Sequence, residues 1–143
     1  MSKVIAISEA VGIALHSMAL VSRSRHPLNA TQITEITGSS KHHIAKVLQR
    51  LVKAGLLKSS RGPAGGFWLN KNPENITLLD IYEAIEGKLE LGACPLDYRE
   101  CVMGQCILEC IASSIGKNFE QHMRSTNLGD VNKLNFKPFN LQS

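Results

Sequence analysis

Two short amphipathic segments, the first opening at Asn29 and the second closing at Gly55, are joined by nothing longer than Gly38-Ser39-Ser40. That link constrains the chain more than any other feature, because so tight a turn leaves two helices no choice but to pack on each other. Asn29 is a capping residue, and Gln32 stands three positions on, where its side chain can reach back to the cap. Ile33 and Ile36 supply a short apolar face, and Gly38 ends the helix. Ser39 or Ser40 caps the second helix, whose buried stripe is Ile44, Val47, Leu48 and Leu51 at helical spacing. The pattern is that of a helix-turn-helix, although a generic helical hairpin shares it.

The following segment narrows the choice. Lys58–Arg61 reads as a strand, Gly62-Pro63-Ala64-Gly65-Gly66 as a turn, and Phe67-Trp68-Leu69 as the returning strand. A hairpin directly after a helix-turn-helix is a wing. Phe67 and Leu69 are expected to point one way and Trp68 the other, as packing residues. Thr77 and Asp80 then form a capping box for a helix that Gly87 stops.

Charge adds to the reading. Sixteen basic and 12 acidic residues leave a formal charge of only +4. Their distribution is uneven: Lys41, Lys46, Arg50, Lys53, Lys58 and Arg61 fall between residues 41 and 61 with no acidic residue among them. The second helix therefore opposes its buried stripe with Lys41, His42, His43, Lys46, Gln49, Arg50 and Lys53. Such a field suits a phosphate backbone, while an ordinary solvated helix face has the same composition. Arg61 beside three glycines places a guanidinium where the backbone can approach a narrow groove closely.

Before these segments, Ile7, Val11, Ala14, Leu15 and Met18 share one helical stripe, with Ile13, Ala19 and Leu20 off it. A helix this apolar is expected to be covered on more than one side, with a second subunit as one possible cover. No apolar run approaches the roughly 18 residues of a membrane span. Val4–Ile7 is too short for a signal peptide core, so a cytoplasmic protein with no membrane partner is expected. Neither a nucleophile–base pair nor a phosphate loop stands out, so the chain is not expected to be an enzyme.

All 4 cysteines, Cys94, Cys101, Cys106 and Cys110, lie close together after the Gly87 stop. In a reducing compartment such a cluster points to metal or redox chemistry, not to structural disulfides. Thiolates bind iron–sulfur clusters, zinc or copper; a metal-free thiol–disulfide switch is the alternative, and a small iron–sulfur electron carrier is a further one that would need neither the basic helix nor Arg61. Cys106 and Cys110 are i and i+4, one turn apart if the next helix starts there, though Cys110 would equally pack as a small hydrophobe. Leu108, Ile111, Ala112, Ile115 and Phe119 continue that helix as a stripe to about Arg124, suited to dimerisation or to packing within the subunit. Residues 126–143 read as a loosely ordered tail. The expected organisation is a winged helix-turn-helix over 1–87, a cysteine loop and dimerisation helix over 88–125, and the tail. The fold is mainly α with a small β-hairpin wing.

Arg61-Gly-Pro-Ala-Gly-Gly66, Phe67-Trp-Leu69 and Ile76-Thr-Leu-Leu-Asp80-Ile-Tyr-Glu-Ala-Ile-Glu-Gly87 together resemble the wing and linker helix of the Rrf-type winged-helix transcriptional regulators, the family of IscR and NsrR. The likeness runs from about residue 4 to residue 131, and Asn127-Leu-Gly-Asp-Val131 is similar to a segment after the long helix in many members. The resemblance implies a homodimeric transcription factor, a repressor in the simplest case, on a pseudo-palindromic operator in double-stranded DNA. Its second helix would lie in the major groove and Arg61 in the minor groove. The DNA-binding set is then Ser40, Lys41, His42, His43, Lys46, Arg50, Arg61, Gly62 and Gly65. The resemblance also implies an iron–sulfur cluster, 2Fe-2S or 4Fe-4S, on Cys94, Cys101 and Cys106, with Cys110 as fourth ligand and His16 from a partner's first helix as its rival. Several members have a Glu-Gln pair where this chain has Ala45-Lys46, so their operator sequences do not transfer.

Overall fold

Among the described residues, short polar side chains start five of the six α-helices. Ser8, Asn29, Ser40, Thr77 and Asn127 each accept a hydrogen bond from the backbone N–H three residues on, at 3.2, 2.9, 3.4, 3.0 and 2.9 Å. At Asn29, Thr77 and Asn127 the box is reciprocal, with Gln32, Asp80 and Asp130 reaching back to the cap N–H. Each bond satisfies a donor that the first helical turn cannot.

The computed structural model describes residues 7–92, 94, 96, 98, 100–108 and 111–138. Among them run α1 (Glu9–Arg23), α2 (Ala30–Thr37), α3 (Lys41–Lys53), β1 (Leu57–Ser60), β2 (Gly66–Leu69), a 3-10 turn at Pro73–Asn75, α4 (Leu78–Glu86), α5 (Ile111–Ser125) and α6 (Leu128–Asn132). The strands pair antiparallel, with Lys58 opposite Trp68 and Ser60 opposite Gly66. The architecture is helical with one two-stranded wing. No helix among the described residues is long and apolar enough to cross a membrane.

Helix α1 is the centre of the core. Val11, Ala14 and Met18 are wholly buried, and the helix packs against α2, α3, α4, α6 and β2. Ile13 and Leu20, off the main stripe, are buried as well, while Ala19 is half-buried and all three border a cavity on the outer side of the helix. Ile7 departs from expectation: it precedes the Ser8 cap and is 59% exposed. Ile33, Ile44, Leu48, Leu51, Leu57, Ile76 and Ile81 complete the interior.

Two long-range pairings hold the domain together. Leu28 exchanges hydrogen bonds with Phe67, N–H to O at 3.1 and 2.8 Å, adding a one-residue strand to the wing. Thr77 bridges Asn127, with the Leu78 N–H on Thr126 O and the Leu128 N–H on Ile76 O, both at 2.9 Å. The loosely ordered tail expected from residue 126 onward is therefore ordered in its first part. Leu128 is 1% exposed, and Arg23 donates to Asn132 O at 2.9 Å while its guanidinium lies 4.9 Å from the Phe136 ring centroid. Burial of one leucine and closure of a capping box outweigh the polar composition that suggested a loose segment.

Candidate nucleic-acid interface

Gly38 turns the chain in the left-handed region (φ 72°), and Ser40 then caps α3, so the second helix starts almost at once after the first. Ile44, Val47, Leu48 and Leu51 anchor α3 on the core. A 3.6-residue period then places His42, Lys46, Gln49 and Lys53 opposite that stripe, and all four are exposed. Ser40, Lys41 and His43 are exposed at the N-terminal end, where recognition helices carry their base-reading side chains.

Two members of the basic set face other elements. His43 Nδ1 is 3.9 Å from a Glu9 carboxylate oxygen on α1, with both side chains largely solvated. Arg50 donates through Nη2 to the main-chain carbonyl of Ile85, in the last turn of α4. His43 and Arg50 are i and i+7, so they share one flank of α3, the flank turned toward α1 and α4.

The wing presents Arg61 as an exposed side chain at its tip. The glycines around it answer to the hairpin's own geometry. Gly62 has φ 104°, and its carbonyl accepts the Gly65 N–H at 2.9 Å. A Cβ on Gly65 would stand 2.5 Å from Ser60 O, and one on Gly66 would stand 2.8 Å from the Leu28 carbonyl. Glycine here is required by turn closure and by the Leu28 strand, whatever the wing meets. Phe67, Trp68 and Leu69 all pack against the core, and Lys58 Nζ lies 5.9 Å from the Trp68 ring centroid.

Past Gly87, Cys94 and Cys101 are half-buried and Cys106 is exposed. The N–H of Gly104 closes a turn on Cys101 O at 2.9 Å. Helix α5 is described from Ile111, so Cys106 stands in the loop ahead of it and not on the helix's first turn as expected; Cys110 lies outside the described residues. The donor chemistry suits an iron–sulfur centre, which thiolates hold. Among the described residues no three Cys, His, Asp or Glu side chains gather as a metal site. His16 is exposed and its Nδ1 sits 2.7 Å from Gly12 O, one turn back on its own helix.

Around this loop the surface is apolar. Val102, Met103 and Ile107 are 77, 70 and 80% exposed, and Leu108, just before α5, and Ile111 and Ile115 on it are exposed as well. The stripe expected on α5 is thus split. Ala112, Gly116 and Met123 face the core, with Phe119 edge-on to Tyr82 at 5.9 Å, while Ile111 and Ile115 face outward.

Periodicity and charge exposed the α3 face, but not its ties to the rest of the fold. Arg50 to Ile85, and Ser8 Oγ to the Glu86 carboxylate, join residues far apart in sequence, and no local signal marks either pair.

Residues 7–133 match the Rrf2 family, described as an iron-dependent transcriptional regulator. A Bacillus subtilis (strain 168) protein, YwgB, is 32% identical over 114 residues, covering 76% of this chain and 73% of its own length. The HTH-type transcriptional regulator IscR of Vibrio campbellii is 24% identical over 131 residues, 91% of this chain and 74% of that one. The structure of CymR (YrzC), the global cysteine regulator of B. subtilis, shares the fold with a TM-score of 0.73 at 24% identity, over 92% of this chain and 99% of that one.

Proposed function

On the premise that this chain belongs to the Rrf2 family of transcriptional regulators, we propose that it acts as a homodimeric repressor whose hold on its operator is set by the cysteine loop. One observation carries the DNA reading. The exposed face of α3 bears His42, Lys46, Gln49 and Lys53, the wing tip bears exposed Arg61, and no acidic residue lies between residues 41 and 61. Ser40, Lys41, His42, His43 and Lys46 are the candidates for the major groove, where an N-terminal helical turn reaches base edges. Arg61 is the candidate for the minor groove, with Gly62 and Gly65 holding the tip in shape. Residues 1–87 serve as the reading head and 88–125 as the sensing and pairing segment. The outward face of α5, Ile111 and Ile115, is the natural surface for a second copy.

For the loop we favour an iron–sulfur cluster on Cys94, Cys101 and Cys106, completed by Cys110 or by a partner's His16. When bound, such a group would tie the loop's ends together and report iron supply or oxidants. A cluster-free thiol–disulfide switch is the second reading; it requires only two of these cysteines to meet, where a cluster requires three or four ligands.

The test is selection of duplexes from a random-sequence pool, followed by binding titrations with anaerobically purified protein. A pseudo-palindromic site bound with steep salt dependence is the expected result; failure to enrich any sequence would remove the regulator reading. An anaerobic absorbance spectrum with iron and sulfide counts then separates the two loop chemistries. Colour lost in Cys94→Ser, Cys101→Ser and Cys106→Ser means a cluster. A colourless wild type that gains a disulfide on oxidation means the thiol switch.

A further inference from the structure

Charge alone groups Arg50 with the DNA-facing cations, and the residue is exposed, yet its guanidinium also donates to another helix of the same chain. Helix α4 ends at Glu86, and its last carbonyls have no helical partners of their own. Glu83 O accepts the Gly87 N–H at 3.0 Å, and Ile85 O accepts Arg50 Nη2. Ile85 is 4% exposed, so its carbonyl sits where an unpaired acceptor is costly. A cation at a helix C-terminus is also favoured by the helix dipole. The next residue, Glu86, accepts from Ser8 Oγ, the cap of α1. One turn of α4 is thereby tied to both α3 and α1.

The same turn is the root of the cysteine loop. After Gly87, the Leu89 N–H returns to Glu83 Oε1 at 3.5 Å, and Leu89 packs on the core. Leu91 lies against α5 at Gly116, with its Cδ2 3.4 Å from where a Cβ would stand. The chain entering the loop is thus anchored on the same turn of α4 that Arg50 contacts.

We propose that Arg50 is a positioning residue, clamping the recognition helix to the C-terminal turn of α4 so that movement at the root of the cysteine loop re-aims α3. The role in regulation rests on the DNA-binding reading above; the clamp itself does not.

Three measurements on the full chain test it. Without DNA, Arg50→Met should speed hydrogen exchange of the Gly87 amide and its neighbours by about tenfold while α2 and the wing are unchanged, with partial rescue in Arg50→Lys. Unaltered protection there overturns the clamp. On a duplex selected by the wild-type protein, Arg50→Met should weaken binding without changing the dependence of log K on log salt. Lys46→Ala should reduce that slope by about one unit for each phosphate left without its cation. An equal reduction in Arg50→Met would make Arg50 a phosphate ligand and overturn the proposal. Finally, the difference in affinity between dithiothreitol-reduced and diamide-oxidised protein should shrink in Arg50→Met. An undiminished difference in the variant, or none in the wild type, overturns the coupling. If the wild type selects no duplex, the regulator reading fails, and the exchange measurement still decides the clamp.

Discussion

Arg61 and Lys46 carry the same charge and differ in what holds them. Arg61 stands on a hairpin whose glycines are dictated by its own turn, so its exposure is built into the wing. Arg61→Ala should weaken operator binding by on the order of 1–3 kcal/mol in a mobility-shift titration; unchanged affinity would take the wing out of recognition. Two buried residues offer tests of stability. Ser17 is fully buried on α1, and its hydroxyl has no hydrogen-bond partner among the described residues. Ser17→Ala should therefore raise stability by on the order of 1 kcal/mol, because an unpaired hydroxyl is removed at little cost in volume. A lowered Tm would contradict that. Tyr82 has its phenol pushed above the ordinary 10.0, first by burial and then by the negative charge of Glu86. The unfolded chain then releases the proton first as pH rises. Tyr82 thus contributes stability that is complete below pH 10.0 and is lost as pH climbs through the raised value. Tyr82→Phe should flatten the alkaline fall in stability measured by urea titration.

At the scale of elements, the wing depends on a strand of one residue. Leu28 pairs with Phe67, and Gly66 passes so close to the Leu28 backbone that no Cβ fits. Gly66→Ala should cost about 1–3 kcal/mol, since backbone cannot retreat as a flexible side chain can. Amide exchange should show the loss centred on Leu28 and Phe67. The elements themselves were largely legible in the sequence. Helix starts at Asn29 and Thr77 follow from a cap and a partner three residues on, and the α3 core face follows from spacing alone. Leu28 was not legible, because a one-residue strand has no periodicity. Helix α6 was missed because its polar composition conceals a single buried leucine.

For the whole molecule, the decisive surface is the outward side of α5. Ile111 is 55% exposed and Ile115 43%, beside the exposed Val102, Met103 and Ile107 of the loop. Apolar area of this extent beside the proposed sensing loop is the surface on which the proposed pairing of two copies is tested. Ile111→Glu combined with Ile115→Glu should turn a dimer into a monomer in sedimentation experiments while leaving the circular dichroism spectrum helical. A variant that remains dimeric would move the interface elsewhere. Each monomer should bind a selected duplex far more weakly, since half-sites are read together only when two heads are joined.

The amino-acid sequence by itself determined the features that arise within a few residues of each other. These are the caps, the tight link after Gly38, the cationic face of α3, the hairpin with Arg61 at its tip, and the presence of four thiols between Gly87 and Ile111. Their causes are local: hydrogen bonds to the nearest orphan donors, the 3.6-residue period, and the steric freedom of glycine. Tertiary structure alone decided which charged groups remain available and how the parts are tied. It directs Arg50 to Ile85 and Glu86 to Ser8, buries one side of α1 under four other helices and the wing, and pins residues 126–128 across the start of α4. Those outcomes depend on partners tens of residues away, brought together only when the core closes, and no local pattern in the chain encodes them.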